Sequence, residues 1–127
     1  NLTFNAHALI GEDNKTNQML LSMILEDLGL SYDIANDGVE AISLFIKNKY
    51  DIIFMDENMP NMNGIEATNQ IRLMEYDEGL EQVPIIAVTA NALSQDKERF
   101  LAAKMDDYIA KPYTEEDIIK TLKKYLD

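Results

Sequence analysis

Short apolar runs alternate along the chain with longer stretches in which apolar residues recur every three or four positions. His7-Ala8-Leu9-Ile10-Gly11, Tyr32 to Ala35, Ile52 to Met55, Val83 to Thr89 and Tyr108 to Ala110 are runs of the first kind, and their length and β-branched content predict strands. Pro84 is tolerated because it falls near a strand start. His7, the single histidine, reads as an edge residue. The stretches between predict helices over Asn14 to Leu28, Val39 to Asn48, Gly64 to about Tyr76, from Ser94, and over Glu115 to Leu126. In the first helix Leu20, Leu21, Ile24, Leu25 and Leu28 form the expected buried side, with Gly29 as the stop. Lys15, Met19, Ser22, Met23 and Glu26 then fall on the wet side. In the second helix the buried side is Ala41, Ile42, Phe45 and Ile46. The acidic segment Glu75 to Gln82 reads as a solvated loop. A strand–helix unit repeated five times predicts a five-stranded, doubly wound parallel sheet with right-handed crossovers and helices on both faces.

Ile52 to Met55 is the most continuously apolar of the strands, as a central strand covered on both faces requires. It ends in a carboxylate, Asp56, followed by a loop rich in Pro, Asn and Gly. Three other strands also finish in polar residues: Glu12 and Asp13, Thr89, and Lys111. In a doubly wound sheet these carboxyl ends share one edge, where ligands bind. Taken singly, each has a plain structural reading: helix start, turn former, strand-end hydroxyl or surface charge. Taken together they describe a pocket. Three clustered carboxylates need a cation, and oxygen ligands without His or Cys select Mg²⁺. A lysine and a hydroxyl facing that cation suit phosphoryl oxygens, and a carboxylate can serve as the nucleophile.

Composition narrows the partners. The 127 residues make one domain, with a core over about residues 7–126 and a loose segment over 1–6. A formal charge of −12 disfavours nucleic acid and suits cations or basic partners. The absence of cysteine removes thiolate chemistry and fits a reducing compartment. No apolar stretch approaches a membrane span, so a cytoplasmic domain without membrane contact is expected. The first residue is Asn rather than Met, as in a domain excised from a longer protein.

Glu12-Asp13-Asn14, Phe54-Met55-Asp56 with Asn58-Met59-Pro60 and Asn63-Gly64, Pro84 to Ala92, and Met105 to Pro112 together resemble the receiver (CheY-like) domain of two-component signalling, over Ala8 to Leu126. Glu66-Ala67-Thr68, Thr89-Ala90-Asn91-Ala92 and Ala102 to Pro112 are most similar to receivers of hybrid sensor histidine kinases. The resemblance implies a flavodoxin-like sheet and a donor that is a histidine kinase or histidine phosphotransfer domain. It implies that Asp56 accepts the phosphoryl group, and that Asp13 and Asp56 bind Mg²⁺ directly, Glu12 through water and Asn58 through its carbonyl. Lys111, before a cis proline, and Thr89 would hold phosphoryl oxygens, and Tyr108 would move as Thr89 shifts. Asn58 and Asn91 would tune phosphate lifetime. Two positions depart from the family pattern: Lys104 stands where glycine is usual, and Asn63 where aspartate is common.

Two other functions compete. A phosphohydrolase of the haloacid dehalogenase kind also uses a strand-end aspartate with Mg²⁺, but needs an acid/base carboxylate two positions on, where this chain has Asn58. A degenerate receiver could serve only as a protein-binding scaffold, although the full set of site residues is present. On the wet side of the first helix Met19 and Met23 lie one turn apart, an adaptable apolar pair suited to docking a donor's helices.

Overall fold

The computed structural model describes residues 2–90 and 94–126, with the side chains of residues 94–96 excepted. Five strands, β1 (His7–Gly11), β2 (Ser31–Ala35), β3 (Ile52–Asp56), β4 (Ile85–Thr89) and β5 (Asp107–Ala110), alternate with five helices. These are α1 (Lys15–Asp27), α2 (Gly38–Lys47), α3 (Gly64–Glu78), α4 (Ser94–Ala102) and α5 (Glu115–Tyr125). The strands form one parallel sheet in the order β2-β1-β3-β4-β5. The chain winds outward in one direction from β1 and then in the other from β3, so the reversal of strand order lies between β1 and β3.

Alternation along the inner strands divides the core. Ala8, Ile10, Ile52, Phe54, Ile86 and Val88 face α1 and α5, meeting Leu21, Leu25, Ile118 and Leu122. Leu9, Ile53, Met55, Ile85 and Ala87 face α2, α3 and α4, meeting Ala41, Ala67, Ile71 and Phe100. Both faces of β3 are covered and every one of its residues is buried, which is why its sequence shows no polar alternation.

Several expectations need correction. β1 is an interior strand, so His7 is not an edge residue: its ring stacks on Tyr50 at 5.0 Å and contacts Ser31 and Asp33. In α1, Leu20 is exposed whereas Gln18 and Ser22 are buried. The buried stripe is thus rotated by about one residue, and both polar side chains on it find acceptors: Gln18 in Glu12 and Asn36, Ser22 in the Met19 carbonyl at 2.9 Å. Ile46 is exposed, and Leu44 packs inward beside Ile42 and Phe45. The supposed acidic loop begins later, because α3 continues to Glu78 and Glu75 is buried. Residues 2–6 form no helix or strand, yet the Phe4 amide donates to the Leu28 carbonyl at 2.7 Å and its ring joins the α1 side of the core.

Helix ends follow local chemistry. Asn14, Asp37, Asn63 and Thr114 cap the starts of α1, α2, α3 and α5, and Asn63 with Glu66 and Thr114 with Asp117 form reciprocal capping boxes. At the other end, α1, α3 and α4 close through one pattern, in which two successive amides turn back onto the last helical turn: Gly29 and Leu30, Gly79 and Leu80, Lys104 and Met105. The first residue of each pair has positive φ, 87° at Gly29, 67° at Gly79 and 69° at Lys104.

Candidate phosphoryl-acceptor site

Parallel register brings the polar strand ends to one edge. Gly11 pairs with Met55, Asp56 with Val88 and Thr89 with Ala110, so Glu12, Asp56, Thr89 and Lys111 leave the sheet at nearly the same level. Asp56 is the last residue of β3 and 7% exposed; Glu12, just past β1, is 5% exposed, while Asp13 beside it is open to solvent. Each of the three offers a carboxylate oxygen, and these oxygens all lie within 4.8 Å of one another. The Lys111 ammonium spans two of them, donating to Glu12 Oε1 at 3.1 Å and Asp56 Oδ2 at 3.3 Å. The main-chain amides of Asn14 and Asn58 donate to the remaining oxygens, Glu12 Oε2 at 3.1 Å and Asp56 Oδ1 at 3.2 Å.

One ammonium faces three carboxylates, and the imbalance shows in the titration of the groups. Burial, reinforced by the Asp56 charge, raises the Glu12 pKa despite the Asn14 amide and Lys111. Burial alone would lower the Lys111 pKa, but the charges of Asp56 and Glu12 outweigh it and raise it. Nearby, burial and the Glu12 charge push the Tyr113 hydroxyl up to about 12. An all-oxygen donor set with surplus negative charge fits a hard divalent cation.

The backbone around Asp56 is shaped by a close approach. A Cβ on Gly64 would lie 2.2 Å from the Asp56 carbonyl oxygen, so only glycine lets the start of α3 come this near the acidic strand end. The Gly64 amide also ties back to the Glu57 carbonyl at 3.0 Å.

The remaining expected residues divide. Thr89 is 1% exposed at the end of β4, and its carbonyl accepts from the Lys111 amide at 2.8 Å. The Lys111–Pro112 peptide is cis. Tyr108 is half-buried on the α4 side of the sheet, with the Lys97 ammonium 5.9 Å from its ring centre. The Asn58 side chain is exposed beside the acidic cluster. Asn91 lies outside the described residues. Met19 and Met23 are exposed on α1 at 62% and 56%.

Three sets of partners were not anticipated, two at the site and one at the opposite edge of the sheet. Gln18 reaches the Glu12 carbonyl; its one signal in the sequence is a polar residue three and seven positions before Leu21 and Leu25. Glu57, buried next to Asp56, forms an ion pair with Arg99 of α4. Arg72, also buried, donates to Glu75, Asp106 and the carbonyls of Val83 and Lys104 at 2.8–3.0 Å. Charged residues on a helix read as a solvated face, so these pairs left no trace in the periodicity.

The family model for the response regulator receiver domain matches residues 8–123. The chain belongs to this family. The sensor histidine kinase RcsC of Escherichia coli K12 is 42% identical over 119 residues, covering 94% of this chain and 12% of RcsC. The chain spans 6–18% of the length of the curated relatives it matches, among them two hybrid signal transduction histidine kinases of Dictyostelium discoideum. The receiver of the response regulator Ssk1 from Saccharomyces cerevisiae, solved with the histidine phosphotransfer protein Ypd1, superposes with a TM-score of 0.93 at 32% identity, covering 99% of this chain and 92% of that one. The receiver of the sensor histidine kinase PA1611 of Pseudomonas aeruginosa PAO1, solved with magnesium in its active-site cleft, gives 0.86 at 37%, covering 96% and 98%. Receiver domains of two-component phosphorelays share this architecture, and this chain is one of them.

Proposed function

We propose that Asp56 of this receiver takes a phosphoryl group from a phosphohistidine of a histidine kinase or histidine phosphotransfer domain. The observation that carries the reading is the Lys111 ammonium bridging Asp56 and Glu12 within a cluster of three carboxylates at the sheet's carboxyl edge. An Asp56 oxygen bonds to phosphorus while the phosphorus–nitrogen bond breaks, and the electron pair leaves with the imidazole. Asp13, Asp56 and the Asn58 carbonyl, with Glu12 behind them, would hold Mg²⁺, which supplies the charge neutralisation an anionic donor needs. Lys111 exchanges its contact with Asp56 for a phosphoryl oxygen, and Thr89 offers its hydroxyl to another. Tyr108 then follows Thr89 inward. Asn58, exposed beside the acidic cluster, tunes how fast water later hydrolyses the acyl phosphate, a role we also assign to Asn91.

Met19 and Met23 form the apolar centre of the donor-docking surface, and exposed Leu20, between them in sequence, widens it. The helix begins beside the acceptor, as docking requires, and the Ypd1 complex of the Ssk1 receiver supports this choice of partner class. On this reading the 127 residues are a single cytoplasmic receiver that relays phosphate without being a stand-alone enzyme, in a chain that includes a histidine kinase. No helix among the described residues is long and apolar enough to cross a membrane.

The test is phosphorylation by a small phosphodonor such as phosphoramidate, followed by intact mass. Incorporation is expected with Mg²⁺, and not with excess chelator or in Asp56→Asn; equal incorporation in all three would overturn the reading.

A further inference from the structure

The Glu12–Asp13 peptide carries both acidic side chains of the pair, so its orientation sets the direction in which they leave the backbone. That peptide and the one before it, the two that flank the Glu12 Cα, are each held by one hydrogen bond. The Glu12 amide donates to the Ala35 carbonyl at 3.0 Å, continuing the β1–β2 ladder beyond the strands. The Glu12 carbonyl accepts from Gln18 Nε2 at 2.5 Å. Gln18 is 5% exposed, on the buried stripe of α1, where an amide is kept only if its hydrogen bonds are met. Both donors of its NH₂ group are met, because Nε2 also donates to Asn36 Oδ1 at 2.8 Å.

The chemistry of the neighbours fixes both amide orientations. Gln18 Nε2 sits between two oxygens, where only an NH₂ group fits. Asn36 Oδ1 also receives the Lys15 ammonium at 2.9 Å, and its Nδ2 donates at 2.9 Å to Glu40, a carboxylate that only accepts. Glu40 takes the Asn36 main-chain amide as well, at 2.7 Å. The result is a continuous line from the first turn of α2, through the β2–α2 turn and Gln18, to the peptide between the two acidic residues.

We propose that Gln18 is a positioning residue for the cation site, with Asn36 acting through it. The proposal rests on the reading of Glu12, Asp13 and Asp56 as Mg²⁺ ligands and extends it to the residue that aims two of them. Outer partners that orient ligands typically alter metal affinity 10- to 100-fold when removed. Gln18→Met keeps the length and packing of the side chain and deletes both donated bonds.

Mg²⁺ titration of this receiver, followed by the amide NMR signals of residues 12–14 and by calorimetry, tests it. Gln18→Met is expected to weaken Mg²⁺ binding about tenfold or more and to displace those signals before any metal is added. Asn36→Ala should weaken binding in the wild-type background and add little in Gln18→Met. It also serves as the deciding variant if Gln18→Met fails to fold. Binding within twofold of wild type in the folded variants, or additive effects of the two substitutions, would overturn the proposal. Absence of Mg²⁺ binding by the wild type would overturn the ligand assignment itself and this proposal with it.

Discussion

Lys104 occupies the left-handed position that ends α4, with φ of 69°, in the same closing pattern that uses glycine after α1 and α3. A side chain there costs about 1 kcal/mol relative to glycine. Around it the protein is unusually well tied: Phe100 and Met105 pack together in the core beneath the turn, and Arg72 Nε holds the Lys104 carbonyl at 3.0 Å. Lys104→Gly should therefore raise stability by about 1 kcal/mol in urea unfolding. Arg72→Met should lower it by about 3–5 kcal/mol, because Glu75, 2% exposed, loses the ion partner that its burial depends on. No change in either would show that the turn and its clamp contribute nothing. At this scale the sequence was informative about one half of the arrangement. The family pattern marked Lys104 as a residue standing in for glycine, whereas Arg72 and Glu75, three apart on a helix, look the same in sequence whether they meet in solvent or in the core.

Among the elements, the strands were the most legible, because each is short, apolar and flanked by turn residues; only their ends moved by a residue or two. Helix faces were less so. The choice between Leu20 and the pair Gln18 and Ser22 for the inside of α1 was decided by hydrogen bonding, which apolar periodicity does not encode. Turning Leu20 outward enlarges the apolar surface that Met19 and Met23 begin. Met19→Lys with Met23→Lys should slow transfer from a phosphorylated histidine phosphotransfer protein by about tenfold or more, the loss of a central anchor, and leave small-donor phosphorylation of Asp56 unchanged. Unaltered transfer from the protein donor would place docking elsewhere.

At the scale of the whole molecule, the repeated strand–helix order was enough to expect the doubly wound sheet, and the sheet alone collects Glu12, Asp56, Thr89 and Lys111 from positions up to 99 residues apart. The placement of the candidate site residues was therefore legible wherever it coincided with a strand end. Contacts between helices and loops, such as Glu57 with Arg99, were not. A switch requires contacts that differ between its two states, and on the proposed reading Thr89 and Lys111 supply them. Amide exchange over residues 97–110 should change when a phosphoryl mimic such as beryllofluoride binds, and should not change in Thr89→Ala or Lys111→Ala; a wild-type response in both variants would put the coupling elsewhere. All of this depends on one bond, between phosphorus and an oxygen of Asp56. Borohydride reduction of the phosphorylated protein converts an aspartyl phosphate to homoserine, and peptide sequencing by mass spectrometry then locates it. The account predicts homoserine at position 56, formed only when Mg²⁺ was present during phosphorylation; homoserine at another aspartate, or none despite incorporated phosphate, would contradict it.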